Sequence, residues 1–351
     1  MALQLNGHKL LHHVDELVKW KRGEDFFPIH LDISPIGKCN HRCAHCYVEY
    51  LGHRGPKLER EAFLRLAADI GRCGVKSAFI AGTGEPFLNE ATVDAIRIGR
   101  ENGTDMAVST NGVLLDEDKL NGILPYLTWM RFSILGGSAP TYAKLQSGRE
   151  ADWDKLVQVL SWAGGIKARR GLDVTLGAVF CVMPENGHEV ALLARRLKDS
   201  GIDYMVVKPA SQNERNTFRV PLDMHERFRD QIAEAEALSG DGFHVEVRMD
   251  QFNQMLKRTY KKCLGLPFIT MIGEDGGIYT CNGHWGNPDF CYGNIHEQSF
   301  EEIWNGPRRR EVQRRIEAHL DFDTCEPICR QNSINQFLWG LRSPPDHINF
   351  I

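Results

Sequence analysis

Six segments with the pattern of β-strands alternate with six helical segments between residues 29 and 239, and this alternation constrains the fold more than any other feature. Strands separated by helices form a parallel sheet with right-handed crossovers. Six units fall short of the eight that close a full barrel, so an open α/β sheet is expected. Functional groups should lie at the carboxyl ends of the strands. The predicted strands are 29–34, 77–81, 105–109, 129–134, 173–183 and 204–208, and the predicted helices are 58–71, 91–100, 117–124, 140–164, 189–199 and 222–239.

Three cysteines follow the first predicted strand in the spacing Cys39-x3-Cys43-x2-Cys46. An iron-sulfur cluster normally takes four thiolates, so three leave one iron open to a reacting molecule. A zinc site is the alternative, because His41 or His45 could complete a tetrahedral ligand set. A disulfide framework is less favoured, since the chain of 351 residues shows no apolar signal segment at its start. Ten cysteines in a chain expected to be cytoplasmic therefore favour metal binding.

Charge and hydropathy narrow the classes of partner. The formal net charge of -4 gives no general reason to expect nucleic-acid binding. No apolar run approaches the roughly 18 residues that would span a bilayer. We therefore expect a soluble protein without a nucleic-acid or membrane partner.

The motif of Cys39, Cys43 and Cys46 resembles the signature of the radical S-adenosylmethionine (SAM) superfamily. The segment Gly82-Thr83-Gly84-Glu85-Pro86 is similar to the Gly-Gly-Glu motif of that superfamily, except that Thr83 replaces the first glycine of the pair. Glycine allows a close backbone approach to a ligand, and a carboxylate can accept from the methionine ammonium of SAM. The residues that the resemblance assigns to SAM are His45, Gly84, Glu85, Ser109, Asn111 and Ser133.

Membership of that superfamily would imply a partial (β/α)6 TIM-like barrel. The three motif cysteines would hold a [4Fe-4S] cluster, whose open iron takes the amine and carboxylate of SAM. One electron, delivered by a reductant such as flavodoxin or ferredoxin, then cleaves SAM to methionine and a 5'-deoxyadenosyl radical. That radical abstracts hydrogen from unactivated C–H bonds.

A second group of cysteines, Cys263, Cys281, Cys325 and Cys329, lies in the last quarter of the chain. The first two flank a predicted hairpin, 268–272 and 277–280. The arrangement resembles the twitch domain, a shortened SPASM domain, which holds an auxiliary [4Fe-4S] cluster. Three residues separate the last pair where two are usual, so Cys291 is an alternative ligand. A zinc ribbon or scattered buried cysteines remain the other interpretations.

Two cysteines outside both groups are candidate hydrogen-atom donors, although packing is the default role of a free cysteine. Cys181 lies near the end of the fifth predicted strand, and Cys291 lies in the twitch region. A lone cysteine donates hydrogen to the substrate radical in radical SAM epimerases. Cys73, at the end of a predicted helix, is expected to be inert.

The substrate is expected to be small and polar, because only about 28 residues precede the first strand whereas peptide-modifying relatives often carry a peptide-binding domain there. Lys208 is a candidate anion ligand, followed by Pro209, Ser211, Gln212 and Asn213. His284 and Trp285 offer stacking and hydrogen bonds for a sugar ring.

These features resemble aminocyclitol dehydrogenases and the sugar or aminoglycoside epimerases of antibiotic biosynthesis. Hydrogen abstraction from a carbinol carbon would give a ketone if the auxiliary cluster takes the electron, or an epimer if a thiol returns hydrogen to the other face. Modification of a ribosomal peptide is the alternative, and a non-catalytic metal-binding protein a third. The expected division is an N-terminal extension (1–28), the barrel (29–240), a linker (241–262), the twitch domain (263–330) and a tail (331–351).

Overall fold

The computed structural model describes residues 7–212, 214–221, 223–253, 258–322, 325 and 329–350. Asn213, Leu222 and Ile351, which belong to predicted segments, lie outside these ranges. The strands are β1 (His30–Ile33), β2 (Ile36–Lys38), β3 (Arg54–Lys57), β4 (Ser77–Ile80), β5 (Asp105–Thr110), β6 (Leu127–Ser133), β7 (Thr175–Val182), β8 (Tyr204–Pro209), β9 (His244–Val247), β10 (Ile269–Ile272), β11 (Gly277–Tyr279) and β12 (Cys291–Asn294).

From β3 to β9 the helices lie between successive strands. The helices are α1 (Val14–Arg22), α2 (Arg60–Arg72), α3 (Thr92–Glu101), α4 (Glu117–Ile123), α5 (Ala139–Tyr142), α6 (Ala151–Arg170), α7 (Val190–Asp199), α8 (Met224–Arg227), α9 (Arg229–Glu236), α10 (Met249–Asn253), α11 (Phe300–Asn305), α12 (Pro307–His319) and α13 (Asn332–Arg342). Within the described ranges, none of these helices is both long enough and apolar enough to cross a membrane.

Ten strands form one sheet in the order β12-β11-β10-β1-β4-β5-β6-β7-β8-β9. The pairings from β10 through β1 to β9 are all parallel, whereas β11 and β12 are antiparallel additions. The short strands β2 and β3 form a separate ribbon. The predicted α/β fold, with a parallel sheet followed by a C-terminal hairpin, is therefore confirmed. The hairpin does not stand apart, since β10 pairs directly with β1 and extends the barrel sheet.

The hydrophobic core lies between the sheet and the outer helices. Along β7, for example, Leu176, Ala178 and Phe180 are fully buried in the same cluster as Leu156 and Val159 of α6. Successive strand residues point to opposite faces, so Gly177, Val179 and Cys181 lie on the opposite, concave face. This alternation decides which side chains line the interior of the barrel.

The predicted helix 140–164 differs from the structure in its first half and at its C-terminal end. It is interrupted after α5 by a π-helical turn (Ala143–Ser147) and by Gly148, whose φ of 80° ends the turn in a left-handed conformation. The helix α6 then continues to Arg170, past the glycines at which it was predicted to stop. Gly164 belongs there because a Cβ would lie 2.0 Å from the carbonyl oxygen of Ser200.

Two further segments hold more structure than expected. The segment 241–262, expected to be a linker, contains β9 and α10, and β9 pairs in parallel with β8 beyond the six predicted strands. The N-terminal extension contains α1 and packs Leu10 with Leu264, Phe268 and Leu338 in a second hydrophobic cluster. The predicted helix 222–239 is divided into α8 and α9 at Phe228.

Candidate active site

The loop that carries the three motif cysteines lies beyond the carboxyl end of β1. Backbone hydrogen bonds fix it to the π-helical turn, with Ala44 N donating to the carbonyl oxygen of Leu145 at 2.8 Å. On its other side, the amide nitrogen of Asn216, in the segment after β8, donates to the carbonyl oxygen of Tyr47 at 2.8 Å. The π-helical turn that interrupts the predicted helix thus presents carbonyl groups that accept hydrogen bonds from the cysteine loop.

The thiols of Cys39, Cys43 and Cys46 lie near enough to interact. Burial raises the pKa of each, to about 11 for Cys46, and the pKa of Cys43 is raised further by the negative charges of Cys46 and Cys39. The backbone N–H of His41 points to Cys39 Sγ, at 3.5 Å between nitrogen and sulfur. Thiolates that repel each other in a buried site need a cationic centre, and this donor set fits an iron-sulfur cluster.

The alternative zinc ligand His41 is directed elsewhere. Its Nε2 lies 3.5 Å from Asp152 Oδ2 on α6, and its ring packs edge-on against Tyr142 with 6.1 Å between centroids. In the described part of the chain, no three His, Cys, Asp or Glu side chains converge closely enough to hold a single metal ion.

The Gly84-Glu85 pair follows β4 and packs on the cysteine loop. Glu85 N donates to the carbonyl oxygen of Lys38 at 3.0 Å. A Cβ on Gly84 would lie 2.2 Å from the same oxygen. The glycine is therefore required by contact with protein backbone, a reason that the sequence interpretation, based on ligand approach, did not include.

Glu85 is buried, and its carboxylate already has protein partners. It accepts from Thr110 Oγ1 at 2.7 Å and from Asn111 N at 2.8 Å. Burial raises its pKa despite these hydrogen bonds. Its role as an acceptor for the ammonium of SAM stays a prediction, and the structure adds that it joins the loops after β4 and β5.

The other residues assigned to SAM lie around the same point. Asn111 Nδ2 donates to Asn40 Oδ1 in the cysteine loop at 2.8 Å. The hydroxyls of Ser109 and Ser133, at the ends of β5 and β6, lie 3.4 Å apart. The structure thus gathers the predicted SAM residues at the carboxyl ends of adjacent strands.

Thr83, which departs from the glycine of the superfamily motif, is buried and bonded on two sides. Its hydroxyl lies 3.1 Å from Ser34 Oγ, and it also bonds the carboxylate of Glu274, in the turn between β10 and β11. Glu274 Oε2 accepts from Trp285 Nε1 at 3.1 Å. Thr83 therefore connects the loop after β4 to the C-terminal hairpin.

Cys181 lies on the concave face at the carboxyl end of β7, opposite Lys208 of β8. Burial disfavours its thiolate, but the positive charges of His45, Lys208 and Arg131 outweigh burial and lower its pKa to about 7. His45 precedes the last motif cysteine, so the thiol lies beside the cysteine loop. Burial alone would lower the pKa of His45, but the negative charge of the Cys181 thiolate raises it.

The second group of cysteines surrounds one cavity, which is lined by Cys263, Cys281, Cys325 and Cys329. Burial raises the pKa of Cys263 well above its usual value, and the negative charges of the other three raise it further. Asn335 Nδ2 lies 3.7 Å from Cys263 Sγ. Four mutually repelling thiols in one cavity fit an auxiliary cluster.

Cys291, His284 and Trp285 take different positions. Cys291 lies on the edge strand β12, outside the lining of the four-cysteine cavity, and its thiol donates to the carbonyl oxygen of Gly293 at 3.3 Å. His284 lines that cavity and stacks on Phe290, with ring centroids 3.6 Å apart. Trp285 donates its indole N–H to Glu274, and its ring stacks on Tyr279. Neither aromatic residue is placed beside Cys181 by a contact in the described structure.

Sequence reasoning did not identify Arg131, Asp32 or Arg330. Asp32 on β1 pairs with Arg330, and Arg131 on β6 lies over the rings of Phe79 and Trp129. Charged residues within otherwise apolar strands were the available signal, since Asp32 and Arg131 each stand between two buried apolar residues on β1 and β6.

Comparison with known proteins agrees with this geometry. The model of the Radical SAM superfamily matches residues 33–197, and the model of SPASM, an iron-sulfur cluster-binding domain, matches residues 263–331. The chain therefore contains a Radical SAM domain and, C-terminal to it, a SPASM or twitch domain. A [4Fe-4S] cluster with SAM in the barrel and an auxiliary iron-sulfur cluster in the second domain follow from these two families.

Among characterised relatives, the chain is 22% identical over 305 residues to the tungsten-containing aldehyde ferredoxin oxidoreductase cofactor-modifying protein of Pyrococcus furiosus, covering 80% of this chain and 81% of that protein. It is 23% identical over 291 residues to the antilisterial bacteriocin subtilosin biosynthesis protein AlbA of Bacillus subtilis, covering 80% of this chain and 60% of AlbA.

Two solved structures share the fold. SuiB of Streptococcus suis bound to S-adenosylmethionine superposes with a TM-score of 0.65 at 16% identity, covering 87% of this chain and 72% of SuiB. The enzyme anSMEcpe with bound AdoMet and the Kp18Cys peptide gives a TM-score of 0.59 at 15% identity, covering 86% and 88%.

Proposed function

We propose that this radical SAM enzyme removes hydrogen from a carbinol carbon of a small polar substrate and that Cys181 returns hydrogen to the opposite face, giving an epimer. The observation that carries this proposal is the position of Cys181. Its thiol is buried on the concave face at the end of β7, beside His45 of the cysteine loop and opposite Lys208. Cys291 has no comparable placement, because it lies on the edge strand β12.

When bound, the cluster and SAM supply the 5'-deoxyadenosyl radical that takes a hydrogen atom from the substrate. The residues of the chain would then position SAM, with Glu85, Asn111 and Ser133 at the carboxyl ends of adjacent strands. Cys181 would give its S–H hydrogen atom to the substrate radical. One electron from a ferredoxin or flavodoxin and one proton from solvent would restore the thiol.

The segment after β8 supports a small substrate. Arg215 Nη2 donates to the carbonyl oxygen of Gly283 at 3.3 Å, and Asn216 bonds the cysteine loop. The hydroxyl of Thr217 also donates to Glu49 at 2.9 Å. This segment thereby joins the cysteine loop to the C-terminal domain.

The test compares Cys181→Ala with Cys291→Ala as a matched control, both reconstituted anaerobically. In deuterium oxide, the wild type should place one solvent deuterium on the product, since thiol hydrogen exchanges with solvent. Cys181→Ala should keep SAM cleavage but lose this product, while Cys291→Ala should resemble the wild type. A ketone product from the wild type, without deuterium incorporation, would instead establish dehydrogenation.

Peptide modification is the second candidate. AlbA takes part in subtilosin biosynthesis by its name, and the solved structures include SuiB bound to precursor peptide SuiA and anSMEcpe bound to peptides. Anaerobic incubation with peptides encoded near this chain, read by mass change that needs SAM and reductant, separates this candidate from the first. A modified peptide together with inactivity on sugars and cyclitols would replace our proposal.

A further inference from the structure

Four cationic side chains face one another on the concave side of the sheet. Lys208 lies on β8 and Arg131 on β6, Arg248 directly follows β9, and Arg330 comes from the C-terminal domain. Burial is the main cause that lowers the pKa of Lys208, and the positive charges of Arg131, Arg248 and Arg330 lower it further.

Two carboxylates balance only two of these cations. Asp32 pairs with Arg330. Glu246 Oε1 lies 3.7 Å from Arg248 Nη1. In the described ranges, no Asp or Glu side chain forms an ion pair with Arg131 or Lys208. The group therefore carries an excess of two positive charges when its histidines are neutral and the thiol of Cys181 is protonated, because a Cys181 thiolate would offset one of them.

Two aromatic rings hold Arg131 in place. Its guanidinium lies 5.5 Å from the ring centroid of Phe79 and 5.4 Å from that of Trp129. Its Nε is buried and has no hydrogen-bond acceptor among the described residues. Stacking on two aromatic rings orients the fork of N–H donors, and a buried donor without a partner is costly to maintain.

Desolvated cations without counter-charges are expected where a ligand supplies the counter-charge. We propose that Arg131 and Lys208 bind an oxyanion of the substrate, a carboxylate or a phosphate ester, beside Cys181. This inference rests on the proposed function, because it places the substrate in the same interior. It also narrows that function, since a polycationic aminoglycoside would be repelled by the excess positive charge, whereas an acidic sugar or a sugar phosphate would be attracted.

The strand register places Lys208 beside Cys181 and places Arg131 deeper on the same face of the sheet. Cys181 pairs with Lys208 in the register of β7 and β8, and Arg131 pairs with Gly177, four residues before Cys181 on β7. Gly177 and Cys181 are four positions apart on β7, so both lie on the face of the sheet that points to the interior. The ring of Tyr204 occupies the space beside Gly177, since a Cβ on Gly177 would lie 2.1 Å from it.

The experiment titrates reconstituted holoprotein with inorganic phosphate and, separately, with acetate, by calorimetry in chloride-free buffer of low ionic strength and without reductant. We expect saturable binding of one of the two probes with and without saturating SAM. Arg131→Gln and Lys208→Met should each weaken it about tenfold or more, as loss of a charge-assisted hydrogen bond implies. Arg131→Lys should retain more affinity than Arg131→Gln, and the exposed Arg169→Gln should match the wild type.

The outcomes separate the alternatives. Tighter phosphate than acetate binding would indicate a phosphate ester, and the reverse a carboxylate. Absence of saturable binding, or equal binding in all variants with wild-type iron content, would overturn the inference. The inference would also be overturned if SAM displaced the anion and Arg131→Gln bound SAM more weakly, because the cations would then bind SAM itself. Since no turnover occurs, failure here leaves the Cys181 experiment independent.

Discussion

The pair formed by Asp32 and Arg330 offers the sharpest test of how the two domains hold together. Asp32 is on β1, and Arg330 directly follows the auxiliary ligand candidate Cys329. The Asp32 side chain is 8% exposed and that of Arg330 is 25% exposed. His30 Nε2 also lies 2.8 Å from Arg330 Nη2. Removing the carboxylate in Asp32→Asn would leave the guanidinium without its counter-charge in a largely buried position.

The expected cost is about 3 kcal/mol, at the lower end of the range for breaking a buried ion pair because Arg330 is partly exposed. Large domains lose roughly 2 °C of melting temperature per kcal/mol, so the apparent midpoint should fall by about 6 °C. The measurement is anaerobic calorimetry at a fixed scan rate, since unfolding of a cluster protein is expected to be irreversible. Iron content after buffer exchange should also fall, because Arg330 adjoins Cys329.

Glu101→Gln is the matched control. It removes the partner of Arg97 in an exposed pair on α3, whose side chains are 43% and 47% exposed. Such pairs contribute about 0.3–0.5 kcal/mol, so the midpoint should fall by roughly 1 °C. The double variant Asp32→Leu with Arg330→Met should recover part of the loss, since no charge stays unpaired. Equal midpoints for Asp32→Asn and Glu101→Gln would refute the reasoning.

Three other variants test the site and its surroundings. Gly84→Ala should lower iron content by about half, as four of roughly eight irons belong to the first cluster, because its Cβ would lie 2.2 Å from the Lys38 carbonyl oxygen; wild-type iron content would contradict this. Thr83→Val should lower the free energy of unfolding by about 1–3 kcal/mol through loss of buried hydrogen bonds, measured by calorimetry, whereas an unchanged melting temperature would show that the hydroxyl is dispensable. Burial alone would raise the pKa of Asp25, but Arg309 and a neighbouring arginine lower it below its ordinary value of 3.8. The wild type should therefore be more stable than Asp25→Asn above pH 3.8, and this difference should be lost as pH falls through the lower pKa of the folded state. A difference that disappears well above about pH 5 would disagree.

Much of the barrel could be predicted because its signals are local. Strand alternation with helices, and the spacing of Cys39, Cys43 and Cys46, depend on residues close in sequence. The break between α5 and α6 could not be predicted in the same way. It depends on a π-turn that presents carbonyl groups, such as that of Leu145, to a loop about 100 residues earlier.

Long-range partners account for what sequence reasoning missed in the site. Arg330 and Asp32 are 298 residues apart. Thr83 meets Glu274 through the approach of the hairpin to the loop after β4. Each residue alone resembles a surface charge or a turn residue, and the parallel pairing of β10 with β1 is what brings the C-terminal hairpin to this part of the barrel.

The register of β6, β7 and β8 explains why chemistry concentrates on one side of the sheet. Alternate residues face the interior, and on each strand the last of them is polar or reactive: Ser133, Cys181 and Lys208. Deeper in the strands, large side chains such as Tyr204 fill the interior. In our proposal the substrate lies in the upper layer, beside Cys181 and Lys208, and Arg131, which pairs with Gly177 in the layer below, would reach it from beneath. The same alternation that buries the core against the helices thus places Cys181 and Lys208 in one site.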